Sequence, residues 1–136
     1  GVGGTMRATR YGRDKGYFAE AAHNTCVLAQ IESREGLRNL DAICGVDGVD
    51  LLFFGPTDLS ADMGHLGQPG HPDVVVAIEA GIRRAHELGK PSGVLAGDPD
   101  CQRYIDAGAT MVILGSDLGL MVRGADQLAA KYCKKG

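Results

Sequence analysis

Short apolar runs alternate along this chain with longer stretches in which apolar residues recur every three or four positions. The runs cover residues 26–31, 49–55, 92–96 and 110–115, and each is followed by Gly or polar residues. Cys26-Val-Leu-Ala-Gln-Ile31 is hydrophobic almost without a break, as expected of a strand covered on both faces in a parallel sheet. Asp50-Leu-Leu-Phe-Phe-Gly55 repeats the pattern, and Pro56 stops it by removing a backbone donor. Ser92-Gly-Val-Leu-Ala96 and Thr110-Met-Val-Ile-Leu-Gly115 predict two further buried strands. Ser33 is placed to cap a helix through Leu37, Leu40 and Ile43, and residues 57–64 read as a loop or short helical turn. His71-Pro72 opens a clear helix with Val75, Ile78, Ile82, Ala85 and Leu88 on one face and Gly89 at its stop. Helices are also predicted over 99–107, ending at Gly108, over 118–133, and over 14–22 with Tyr17, Phe18 and Ala21 inward.

Strands alternating with helices through short connections imply a parallel sheet with right-handed crossovers. Four strands are too few for a complete (β/α)8 barrel, whose usual length is about 250 residues. The pattern therefore leaves two architectures open, a small open sheet and a half-barrel.

Composition narrows the function more than the fold. The 136 residues are 44% hydrophobic and 23% charged, which fits one ordinary globular domain over residues 1–136. A net charge of -3 and a pI near 5.7 give no field to gather nucleic acid or an anionic membrane. The basic pair Lys134-Lys135 reads as solvated terminal surface. The four cysteines lie far apart with no Cys-x-x-Cys step, which favours free thiols in a reducing, cytoplasmic compartment; Cys26 and Cys44 read as small hydrophobes. No stretch approaches the roughly 18 apolar residues of a membrane span, and no leader is evident. The opening Gly-Val-Gly-Gly lacks a methionine, so the natural start is expected to lie elsewhere.

In parallel α/β folds, ligands bind at the carboxyl ends of the strands. Those positions hold Gln30, Glu32 and Ser33, then Gly55, Pro56, Thr57 and Asp58, then Leu95 and Ala96. Taken alone, Glu32 is a helix-start acid and Asp58 a turn or capping residue. Their matched positions after successive strands, about 4.8 Å apart if adjacent, favour a shared cation instead. An all-oxygen pair suits a hard ion such as Mg²⁺ or Mn²⁺, with a 2-keto acid as a chelating substrate. Gln30 is equally suited to a bound carboxylate and to a neighbouring backbone group. Gly55-Pro56-Thr57 offers main-chain donors and a hydroxyl as a carboxylate cradle. No lysine stands within a strand or at its carboxyl end; Lys90 precedes the third strand, so Schiff-base chemistry is not expected. His65 and His71 flank a loop containing Gly67, Pro69 and Gly70; a mobile loop near a metal could bring one into play, but surface loop histidines are the commoner explanation, while His23 and His86 read as helix residues away from the rim and Gly115-Ser116-Asp117 as a helix cap.

Val27-Leu-Ala-Gln-Ile-Glu-Ser33, Gly48-Val-Asp-Leu-Leu-Phe-Phe-Gly-Pro-Thr-Asp-Leu-Ser-Ala61 and Gly115-Ser-Asp117 together resemble the HpcH/HpaI aldolase family. The resemblance runs from about Gly1 to Lys135. It implies the C-terminal half of a (β/α)8 TIM barrel of the phosphoenolpyruvate/pyruvate type, about four βα units without the N-terminal strands. It implies a class II pyruvate aldolase, similar to 4-hydroxy-2-oxoheptanedioate or 2-dehydro-3-deoxyglucarate aldolase, that joins a pyruvate enolate reversibly to an aldehyde. Glu32 and Asp58 would hold Mg²⁺ or Mn²⁺, with Co²⁺ as a further candidate; Gln30, Thr57, the Asp58 backbone and the main chain at Leu95 would contact pyruvate. The family's histidine base and substrate-binding arginine are expected from strands upstream, so no catalytic residue is assigned within this segment. A homo-oligomer that exchanges its last helix is implied. Within the family, oxaloacetate decarboxylase, citryl thioester lyase and macrophomate synthase-like chemistries remain alternatives; outside it, a flavodoxin-like binding module does.

Overall fold

A computed structural model describes residues 2–97 and 100–133. The expected helix start at Pro99, the Lys134-Lys135 pair and Gly1 lie outside the described residues.

All four apolar runs form strands, each shorter than its hydrophobic run: β1 (Leu28–Ile31), β2 (Leu51–Phe54), β3 (Ser92–Leu95) and β4 (Met111–Ile113). They make one parallel sheet in the order β1-β2-β3-β4. A flavodoxin-like sheet would interleave its strands, 2-1-3-4-5, so the sequential order excludes that alternative and matches consecutive staves of a barrel. The helices are α1 (Tyr17–Glu20), α2 (Arg34–Arg38), α3 (Leu40–Cys44), α4 (Pro56–Asp62), α5 (Pro72–Glu87), α6 (Cys101–Asp106) and α7 (Asp117–Tyr132).

Register explains the core. Ile31 stands opposite Phe54, Phe54 opposite Val94 and Val94 opposite Val112, forming one row across the sheet. Ile31, Phe54 and Val94 are buried among Leu40, Leu59, Ile78, Ile82 and Ala85 from the helices. Alternation sends the neighbouring row, Gln30, Phe53, Gly93 and Met111, to the other face, where no helix packs deeply enough to bury Gln30, Phe53 or Met111. Among the described residues the strands are thus covered on one face, not on both. Leu28, Leu95, Met111 and Ile113 are consequently exposed.

α5 follows its predicted face closely: Val75, Ile78, Ile82 and Ala85 are buried, joined by Val74. Leu88 departs from the expectation and is 42% exposed, because the helix ends at Glu87 and the chain turns away through Gly89 at φ 72°. The helix expected after Ser33 is two, broken at Asn39 (φ -93°, ψ 6°), though Leu40 still points into the core. The segment expected to be helical over 14–22 keeps only the single turn of α1, with no residue buried and Phe18 exposed. One turn is too short to persist without packing partners. Cys26 is exposed rather than a core hydrophobe, because β1 begins two residues later; Cys44 is buried, and burial raises its thiol pKa. No helix among the described residues is long and apolar enough to cross a membrane.

Gly81 of α5 lies directly on the Phe54 ring: a Cβ there would come within 2.5 Å of Phe54 Cε1 and 2.7 Å of its Cζ. Phe54 is fully buried and has nowhere to retreat. Gly81→Ala is expected to destabilise the fold by about 1–3 kcal/mol despite its better helix propensity, read as a lower urea midpoint with unchanged m-value. An equal or higher midpoint would show that the ring accommodates the methyl group.

Candidate active site at the carboxyl rim

Glu32 follows β1 directly, two residues beyond Gln30, so both side chains belong to the open face of the sheet. Gly55 follows β2 in the equivalent position, and its N–H donates to Ile31 O at 3.2 Å, extending the ladder by one bond. A Cβ built on Gly55 would lie 3.0 Å from Glu32 Oε2 and 3.3 Å from Glu32 Cβ. The glycine leaves the space that the half-buried Glu32 carboxylate occupies. Gln30 is exposed one row below, in register with Phe53.

The rim segment expected to be a loop or short helical turn is helical: it is α4, with Pro56 at its first position, where a missing N–H costs nothing. Thr57 and Asp58 fall in its exposed first turn. Main-chain N–H groups of a first turn have no acceptor within the helix. An acid there is also favoured by the positive helix end. At the far end of α4, Asp62 accepts from the Arg34 N–H at 2.7 Å and from Arg34 Nε at 3.1 Å. This contact ties the β1–α2 connection that carries Glu32 to the helix that carries Asp58. The backbone bond, followed by the side-chain bond, holds the Asp62 carboxyl below its ordinary range.

Leu95, the last residue of β3, lines a cavity of about 120 Å³ with Pro56, Pro69, Gly70, Ala96 and Tyr104. The α4–α5 loop therefore reaches the same rim. A second hollow, about 550 Å³, lies between Gly97, Cys101, Leu114 and Arg123. Arg123 was not singled out from sequence. Its guanidinium folds back along α7, so that Cβ atoms at Gly115 and Gly119 would meet it at 3.3 and 3.4 Å. The available signal was its place two turns after Ser116, since helical side chains lean toward the N-terminus.

Ser116 caps α7 as expected, accepting from Gly119 N–H at 3.0 Å. Lys90 stands at the opposite rim and donates to Val49 O, just before β2. Glu32 and Asp58 make no ion pair among the described residues, whereas Asp41, Asp62, Glu79 and Glu87 each have an arginine. Two unpaired carboxylates at adjacent strand ends, one seated over a glycine, form a donor set that fits a hard divalent cation.

Sequential parallel βα units with a carboxylate-bearing rim define this chain as part of a (β/α)8-type barrel. It belongs to the HpcH/HpaI aldolase/citrate lyase family, whose profile matches residues 4–124. Over 134 residues, 97% of the chain, it is 48% identical to 4-hydroxy-2-oxo-heptane-1,7-dioate aldolase of Klebsiella pneumoniae, covering 51% of that protein. Over 136 residues, 99% of the chain, it is 48% identical to 5-keto-4-deoxy-D-glucarate aldolase of Shigella boydii, covering 52%. A solved HpcH/HpaI aldolase/citrate lyase family protein from Burkholderia cenocepacia superposes with a TM-score of 0.86 at 33% identity, over 98% of this chain and 52% of that one. The chain spans about half the length of the curated relatives it matches.

Gly55→Ala is expected to push the Glu32 carboxylate aside and weaken Mn²⁺ binding by about tenfold or more while the far-UV spectrum stays unchanged; unaltered binding would remove Gly55 from the site. Asp62, with its lowered folded-state pKa, contributes stability that is complete above the ordinary Asp value near 3.9 and is lost as pH falls through the lowered value. Asp62→Asn should therefore unfold with a shallower acid dependence than the parent below about pH 4. Superimposable acid-denaturation curves would show that the Arg34 contact contributes nothing.

Proposed function

We propose that this chain carries the metal- and pyruvate-binding half of a class II aldolase, a carbon–carbon lyase that makes and cleaves 4-hydroxy-2-oxo acids. The substrates most in keeping with its relatives are 4-hydroxy-2-oxoheptanedioate and 2-dehydro-3-deoxyglucarate. The observation that carries the reading is the Glu32 carboxylate lodged against Gly55, one strand from Asp58, with neither acid taken by an arginine among the described residues.

In this reading Glu32 and Asp58 hold Mg²⁺, Mn²⁺ or Co²⁺. When bound, such an ion supplies Lewis-acid stabilisation of the charge that develops on the keto oxygen of pyruvate. The chain's own groups bind and orient the substrate. Thr57 contributes its hydroxyl, and the Thr57 and Asp58 main chain contributes N–H donors free at the start of α4. Gln30, exposed on the same face, offers an amide hydrogen to the pyruvate carboxylate, and the main chain at Leu95 closes the neighbouring wall. The proton-transfer base and a substrate-binding arginine are supplied by strands outside these residues, which make up one domain of four βα units.

α7 supports the expected oligomer: it has no buried residue and exposes Leu118, Leu120, Met121 and Leu128, as a helix that packs on a neighbouring subunit would. Four unpaired cysteines suit a cytoplasmic setting.

The test uses the full-length protein with Glu32→Gln and Asp58→Asn made singly. Each should weaken Mn²⁺ binding at least about tenfold, some 1.4 kcal/mol. Each should also slow metal-dependent exchange of the pyruvate methyl protons, followed by NMR in D₂O, in parallel with the lost affinity. If both variants bind the ion and exchange protons like the parent, this assignment is wrong.

A further inference from the structure

The loop between α4 and α5 is closed at its base by three residues of a different chemistry. His65 and His71 stack with ring centroids 3.5 Å apart and planes 12° from parallel. His65 Nε2 lies 3.4 Å from Asp73 Oδ2, and His71 Nδ1 lies 3.8 Å from the same oxygen. One ligand atom from each of the three falls within 4.8 Å of the others. The imidazole side chains are only 26% and 29% exposed, while Asp73 is open to solvent. The backbone fixes the arrangement: His65 N–H donates to Ser60 O at 2.7 Å, Gln68 N–H to His65 O at 2.9 Å and His71 N–H to Gln68 O at 2.9 Å.

We propose that His65, His71 and Asp73 form a second cation site, distinct from the Glu32–Asp58 pair and suited to a borderline transition ion such as Zn²⁺. Two imidazoles and one carboxylate are the donor set of many open zinc sites, with water in the fourth position. Mg²⁺ prefers oxygen and is poorly matched to it. His71 Nδ1 accepts the Asp73 N–H at 3.3 Å, a long capping bond that an ion taken through the same nitrogen would displace. Parallel rings must tilt out of the stack for their lone pairs to converge on one ion. The positive N-terminus of α5 opposes a cation there, and the Asp73 carboxylate offsets it.

Binding would have a consequence at the rim. The loop that the site closes carries Pro69 and Gly70, which line the cavity beside Leu95. An ion joining His65 to the start of α5 would fix the two ends of that loop, and with them the wall of the cavity.

The probe is Zn²⁺ alone, titrated into the full-length protein carrying Glu32→Gln and Asp58→Asn so that the first site is removed. One equivalent should still bind, with the imidazole ¹⁵N resonances of His65 and His71 shifting on its addition. Adding His65→Gln, or His71→Asn, which keeps a helix-capping side chain, should lower the affinity at least about tenfold, some 1.4 kcal/mol. No uptake of Zn²⁺, or uptake that leaves those resonances and both added substitutions without effect, would overturn the proposal.

Discussion

The in-register row Ile31, Phe54, Val94 and Val112 is the constraint on which the rest of the structure depends. Because side chains alternate along a strand, burying this row under α3, α4 and α5 decides the fate of every other position in the sheet. The neighbours Gln30, Phe53, Gly93 and Met111 must face the other way, and Glu32 must follow them at the carboxyl rim. A slip of one residue would drive the Glu32 carboxylate into the apolar layer among Leu40, Leu59 and Ile78, at the cost of burying an unpaired charge. Core packing and the position of the acid are therefore one choice.

That choice leaves an apolar sheet face with little cover. Gly93 sits between Phe53 and Met111, and a Cβ on it would come within 3.1 Å of Phe53 Cδ2 and of Met111 Cβ, so the middle of the face is filled by larger neighbours leaning over a glycine. Leu28, Leu95, Met111 and Ile113 still meet solvent. Parallel sheets are stable when both faces are covered, and among the described residues β1 and β4 are the edge strands of the sheet. The open face and the two edges are what four consecutive staves present before the rest of a barrel closes on them.

The four strands and α5 were legible because they rest on periodicity, which a sequence displays directly: Val75, Ile78, Ile82 and Ala85 announce their face by spacing alone. The Glu32 and Asp58 positions were legible for a related reason, since the residues that follow an apolar run in a parallel sheet arrive at the rim whatever the details of packing, Glu32 directly after β1 and Asp58 in the first turn after β2. What the sequence did not disclose are contacts between segments. The Arg34–Asp62 tie joins residues 28 positions apart, and nothing local marks either as a partner. The His65–His71 stack depends on how the turns around Gly64, Gly67 and Gly70 bring the loop back on itself. The single turn of α1 shows the converse failure, in which apolar spacing at Tyr17, Phe18 and Ala21 predicts an inward face where no element lies to receive it.

The arginine–carboxylate pairs of α5 lie on the helices, away from the strand ends. Arg84 holds Asp41 at 2.6 Å and Glu87 at 3.1 Å, Arg83 holds Glu79 at 2.8 Å, and the Arg84–Asp41 bond bridges α5 to α3. These pairs are exposed, and each adds little to stability. Glu32 and Asp58 have no such partner among the described residues. Gly55 leaves the space in which the Glu32 carboxylate rests. A rim built in this way is held in place by the sheet register and not by its own charges, so the position of Glu32 follows from the packing of the row Ile31, Phe54 and Val94 beneath it.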